Sequence, residues 1–144
     1  MTEHVLVPYD GSAAADRALG YARDTFPNAR VTLLYVMDPF VDHARRQSYP
    51  GYTRDDEFGN ERQKAEHVLE RGRAESAEMT DLDTAIVGGD PTREIVRYVD
   101  ATDVDQIVIG SHQRQGAARF LLGSVAEAVV RRSRVPVTVV RPTE

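Results

Sequence analysis

Two short segments carry the residue types that can hold an anion, and each follows an apolar run. The first is Pro8-Tyr9-Asp10-Gly11-Ser12, closing the run Val5–Tyr9. The second is Gly110-Ser111-His112-Gln113-Arg114-Gln115-Gly116 after Ile107–Ile109, and it continues through Leu121-Leu122 to Gly123-Ser124-Val125. A loop with glycines at both ends, closed by Gly-Ser at a helix start, offers phosphate oxygens free backbone N–H groups, a hydroxyl and the positive end of a helix dipole. The same Gly-Ser pair also serves as an ordinary helix cap. Asp10 has two readings as well: it caps the first helix or orders its Asp-Gly turn, or it faces a ligand or metal. Ser12 reads as an N-cap. His112 and Arg114 are either solvated loop side chains or cations turned toward a phosphate.

Other chemistries are poorly served. Neither a Gly-x-Ser-x-Gly elbow nor a P-loop lysine sequence occurs, and the only lysine, Lys64, lies in a charged helical stretch away from these loops. No residue is assigned a catalytic role. His4, His43 and His67 are too scattered for a zinc site and read as surface residues. The absence of cysteine excludes disulfides, thiolate metal sites and cysteine nucleophiles. Eighteen basic against 23 acidic side chains leave a net charge of −5, which disfavours a surface built to neutralise nucleic acid. No apolar run reaches the ~18 residues that suggest a membrane span. Met1-Thr2-Glu3-His4 carries no basic region of the kind that opens a signal peptide. The expectation is a cytoplasmic protein without nucleic-acid or membrane partners.

The loops need elements to position them. Val5–Tyr9, Val31–Met37, Ala85–Val87, Ile107–Ile109 and Val135–Val140 are short, β-branched and nearly continuous in apolar character, as strands buried on both faces are. Between them, Ala15, Ala18, Leu19, Ala22 and Phe26 recur at helical spacing behind Ser12, with Pro27 beyond the end. A thinner stripe of Ala65, Val68, Leu69, Gly72, Ser76 and Met79 marks a charged helix from about Glu57 to Met79. Asp90 caps a third helix with Pro91 at its first position, and a fourth runs from Ser124 to Arg132, where Arg131, Arg132 and Arg134 suit the negative end of its dipole. Strands alternating with helices imply right-handed crossovers and an open, doubly wound α/β fold with a parallel sheet. In such a sheet ligands bind outside the carboxyl ends of the strands, which is where both loops fall. Residues 1–144 read as a single domain. Its one long irregular stretch, 38–56, includes Tyr49 and Tyr52 and is read as a lid, a partner surface or a mobile segment.

Several separated motifs in order resemble the universal stress protein family across nearly the whole chain. They are Val5-Leu6-Val7-Pro8-Tyr9-Asp10-Gly11-Ser12, Tyr35-Val36-Met37-Asp38, Gly88-Gly89-Asp90-Pro91, Ile109-Gly110-Ser111-His112, Leu121-Leu122-Gly123-Ser124-Val125-Ala126-Glu127 and Val135-Pro136-Val137-Thr138-Val139-Val140-Arg141. The resemblance implies a Rossmann-like five-stranded sheet of order 3-2-1-4-5, similar to adenine nucleotide alpha hydrolases. The family's ATP-binding members show Gly, two residues, Gly, nine residues, then Gly-Ser or Gly-Thr. Here Gly110 and Gly123-Ser124 match, and Gln113 stands where the second glycine falls. Glycine there suits a positive φ or a close phosphate, and glutamine serves both less easily.

By resemblance, Asp10 would hold the ribose or a phosphate-bound Mg, Val36 would offer backbone groups to adenine, and Pro8 and Ile109 would flank the ring, beside Tyr9. Gly110, His112, Gln113, Gly123, Ser124 and Val125 would line the ribose–phosphate path. The ligand implied is ATP or another adenine nucleotide, in a regulatory stress-response protein. A nucleotide-free interaction protein of the same fold is one alternative, and a weak nucleotide hydrolase, limited to slow ATP hydrolysis, is another. The terminal strand 136–141 would be a sheet edge, and the resemblance implies a homodimer formed through it.

Overall fold

The computed structural model describes residues 3–38, 54–77, 79, 81–112 and 123–142. Most of the irregular stretch 38–56, with Tyr49 and Tyr52, and the loop residues Gln113 and Arg114 lie outside the described residues, as does His43. The elements alternate as expected: β1 (His4–Pro8), α1 (Ala13–Thr25), β2 (Arg30–Met37), α2 (Arg54–Glu75), β3 (Leu82–Gly88), α3 (Pro91–Ala101), β4 (Gln106–Gly110), α4 (Ser124–Arg132) and β5 (Val137–Val140). Every strand pairing is parallel, in the order β3-β2-β1-β4-β5. Successive crossovers run outward from β1 to one edge, and the chain then returns to the other side of β1. The strand order therefore reverses between β1 and β4, and the carboxyl ends there are where doubly wound sheets form their ligand crevice.

Side chains alternate across the sheet with a period of two, so each strand feeds two cores. On one face Val5, Val7, Tyr9, Val31, Leu33, Tyr35 and Val108 pack with Ala15, Ala18, Leu19 and Ala22 of α1 and Ala65 and Leu69 of α2. On the other, Leu6, Leu34, Ile107 and Ile109 pack with Ile95 and Val99 of α3 and Ala126 and Val129 of α4. Burial on both faces is why the strands read as continuous apolar runs rather than alternating ones. The helix starts follow the expected chemistry. Ser12 accepts a hydrogen bond from the Ala15 amide at 3.1 Å. Asp90 accepts one from the Arg93 amide at 3.1 Å, ahead of Pro91.

Three expectations need correction. β3 begins at Leu82, not Ala85, because its first half pairs with β2 through Val31↔Leu82 and Thr32↔Asp83 despite its polar sequence. The second helix ends at Glu75, so Ser76 and Met79 are buried beyond it in the chain's return to the sheet. His4 is only 3% exposed rather than on the surface. It opens the central strand, where its ring Nδ1 meets Asp103 Oδ1 at 2.8 Å and its Nε2 meets Thr32 Oγ1 at 2.7 Å. Since an ionised carboxylate only accepts, Nδ1–H donates to Asp103, and in the neutral ring Nε2 accepts from the Thr32 hydroxyl. His4 also exchanges backbone bonds with Asp105: its amide donates to Asp105 Oδ2 and its carbonyl accepts from the Asp105 amide, both at 2.8 Å. A polar knot thus ties β1, β2 and the entry to β4 at the amino ends of the strands, opposite the crevice.

The hydrogen bond from His4 holds the Asp103 carboxyl below its usual range, helped by the nearby Arg30 guanidinium. A carboxyl depressed in the folded state contributes stability above its unfolded pKa, about 4, and loses it as pH falls through the folded value. Asp103→Asn is expected to lower the urea midpoint at neutral pH. The gap from wild type should shrink steadily below about pH 4, as urea melts followed from pH 7 to pH 2.5 will show.

Candidate functional site

At the end of β1 the chain turns sharply into α1. Asp10 Oδ1 accepts a hydrogen bond from the Ser12 amide at 2.9 Å, an Asx turn that sets up the Ser12 cap. Gly11 lies at φ +81°, a backbone state that favours glycine. Both ordinary readings of this segment are therefore realised: Asp10 orders the turn and Ser12 caps the helix. The other carboxylate oxygen of Asp10 is not used by the turn. It faces His112 Nε2 at 3.8 Å, and both side chains are more than half exposed.

At the end of β4, Gly110 lies under the first turn of α1. A Cβ on Gly110 would stand 2.2 Å from the Ala14 carbonyl oxygen, so glycine is needed here for packing. The Ser111 amide continues the ladder to the Val140 carbonyl at 2.9 Å. Gly123 (φ +92°) is the N-cap of α4, and no side chain among the described residues caps that helix. Ser124 is its first helical residue rather than its cap. A Cβ on Gly123 would approach the His112 carbonyl oxygen to 3.1 Å, so the start of α4 is seated on the backbone of His112. Asp10, His112 and the N-terminus of α4 thereby meet across the switch point.

The strand pleat sorts the remaining expected residues. Val36, Ile109 and Val125 belong to one apolar cluster on the α3/α4 face. Pro8 ends β1 with the same parity as Leu6, whose side chain is on that face. Tyr9 is turned the other way, 2% exposed in the core between the sheet, α1 and α2, with its hydroxyl donating to Asp16 Oδ1. Burial, reinforced by that bond, pushes the phenol up to about 12. Tyr9 offers the crevice its backbone only, and its amide is already bound to the Leu34 carbonyl at 2.8 Å. The residue that sequence reading missed is Arg71, in α2, whose Nη2 donates to the Gly11 carbonyl at 2.7 Å across 60 positions.

The described elements make a doubly wound α/β protein whose switch point holds a carboxylate, an imidazole and a helix N-terminus with a glycine cap. The universal stress protein family model matches residues 1–141, and the chain belongs to that family. It is 31% identical over 146 residues to universal stress protein MJ0531 of Methanocaldococcus jannaschii, covering 95% of this chain and 81% of that protein. The solved structure of MJ0577 from the same organism superposes with a TM-score of 0.80 at 30% identity, covering 100% of this chain and 99% of that one. A universal stress protein solved in complex with cAMP matches with a TM-score of 0.65 at 25% identity, covering 97% of each chain.

Gly110→Ala tests the packing reading of the first motif glycine. The new methyl meets backbone rather than a flexible side chain, so the start of α1 must shift. The expected loss is about 3 kcal/mol of unfolding free energy, the upper range for overpacking. Urea unfolding without any ligand present reads it directly.

Proposed function

We propose that this protein binds an adenine nucleotide, ATP or a relative, at the carboxyl ends of β1, β2 and β4, and that binding regulates its part in a stress response. The observation that carries the reading is the N-terminus of α4. Its N-cap is a glycine, no side chain among the described residues caps it, its dipole is positive there, and it sits on His112 beside Asp10. Gly110, Gly123, Ser124, Val125 and His112 would line the ribose–phosphate path. Asp10 keeps one carboxylate oxygen for a ribose hydroxyl or a phosphate-bound Mg. Pro8, Val36 and Ile109 share the face on which adenine would rest, with Tyr9 contributing backbone alone. The cAMP complex of a relative supports the ligand class.

On this reading Gln113 replaces the second glycine of the nucleotide motif, and the protein works in the cytoplasm as one domain. The half-buried edge strand β5 supports pairing of two copies along residues 136–141. Sedimentation at micromolar concentration is expected to give a dimer, and a monomer there would remove that part of the proposal.

A second reading has an observation of its own. Gly110 is required for packing against Ala14 whether or not a phosphate is present, so part of the glycine motif is explained without a ligand. A nucleotide-free interaction protein, with Gln113 filling the phosphate path, would keep the same fold. Mass spectrometry of protein purified without added nucleotide, followed by calorimetric titration with ATP and Mg²⁺, separates the two. Nucleotide binding is expected, and Gln113→Gly should tighten it or leave it unchanged. Neither co-purified nor titratable nucleotide would leave the second reading standing.

A further inference from the structure

We propose that Arg71 of α2 is a positioning residue for the candidate site, holding the Asp10-Gly11-Ser12 turn in the orientation that aims Asp10 across the switch point. The ligand named in the test rests on the nucleotide reading above.

The connection runs through one peptide plane. Arg71 Nη2 donates to the Gly11 carbonyl at 2.7 Å, and the Ser12 amide donates to Asp10 Oδ1 at 2.9 Å. That carbonyl and that amide are the two ends of the Gly11–Ser12 peptide group, which is rigid and planar. Fixing the carbonyl therefore fixes the direction of the N–H, and the N–H fixes the Asp10 carboxylate. Hydrogen bonds at both ends of one amide also polarise each other favourably. Gly11 has no side chain to restrain it, and at φ +81° it has wide conformational freedom in the absence of an external hold.

Arg71 is itself held in place. Asp16 Oδ2 lies 3.6 Å from its Nη2 and Glu75 Oε1 lies 4.0 Å from its Nε. Asp16 is fixed in turn by the Tyr9 hydroxyl. Gly72 lets α2 come down on this group, since a Cβ there would be 2.9 Å from the Tyr9 ring and 3.0 Å from Leu33. Val68 of the same helix packs beside Arg71 against the turn, 3.0 Å from where a Gly11 Cβ would be. Arg71 and Val68 of α2 thus meet the turn directly, and Asp16 of α1 and Glu75 of α2 flank the guanidinium, on a turn that also carries the Asp10 carboxylate.

Arg71 is about half exposed, so Arg71→Ala leaves the apolar core in place. Two measurements on the full chain test the proposal. Without ligand, amide exchange at Ser12 should be at least tenfold faster in Arg71→Ala, with the amides of β1 and β4 unchanged. For Mg-ADP, a double-mutant cycle with Asp10→Asn, which keeps the Ser12 acceptor but removes the charge, should be non-additive. Arg71→Ala weakens binding five- to tenfold alone, and adds little once Asp10 is neutral. Arg71→Lys, with a donor and the charge retained, should recover most of both effects. Unchanged Ser12 exchange, or additive losses in the cycle, overturns the positioning role. Absence of Mg-ADP binding by the wild type, with Ser12 exchange still accelerated in the variant, overturns the nucleotide reading and leaves the positioning role supported.

Discussion

At the end of β4 the backbone passes so near the start of α1 that a methyl group on Gly110 would lie 2.2 Å from the Ala14 carbonyl oxygen. That approach sets the geometry of the switch point. Helix α1 has to leave β1 and cross toward β4, because its inner face packs against both Val7 and Val108. It can do so closely only where β4 presents bare backbone. With α1 seated there, its cap Ser12 and the Asx turn at Asp10 lie beside the residues that follow Gly110. His112 comes within 3.8 Å of Asp10 for that reason, although the two are remote in sequence.

The glycines of the motif consequently do different work. Gly110 gives steric room to a neighbouring helix, whereas Gly123 supplies a backbone at φ +92° that starts α4 without a side-chain cap. Neither demand mentions a phosphate. The spacing of glycines reports first that two loops meet at a switch point, and only secondarily what they hold. A helix start whose N-cap is a glycine supplies no side-chain acceptor of its own to the first N–H groups, and that gives the anion reading its weight.

The sheet and its helices were legible because burial on both faces writes itself into the sequence as β-branched runs separated by helical stripes and caps. The parts that were not legible depend on contacts between distant residues. Edge strand β3 starts with Leu82-Asp83-Thr84, a polar segment made into strand by its register with β2 rather than by propensity. His4 looks like a surface histidine until Thr32 and Asp103, 28 and 99 positions away, close around it. Tyr9 lies inside a motif of site residues, yet the two-residue period of the strand points its ring to the opposite core. Asp10, His112, Gly123 and Ser124 were legible as a group because each sits at a strand or helix end. Arg71 was not, because only the packing of α2 on the β1–α1 turn brings it to Gly11.

The charge of the chain explains why such positioning matters. With a net charge of −5, the chain as a whole repels an anion at a distance, and the exposed carboxylate of Asp10 adds local repulsion. On the proposed reading, attraction comes at short range, in part from N–H groups at the α4 start, whose energy falls off within a turn of helix. Dipoles at short range reward direction more than number, and a misaligned amide contributes little. A site of this kind gains more from a hydrogen bond that fixes a peptide plane, as Arg71 does at Gly11, than from another positive side chain in solvent. The guanidinium serves the crevice from the far side of the turn, where its charge is balanced by Asp16 and Glu75 and its geometry remains.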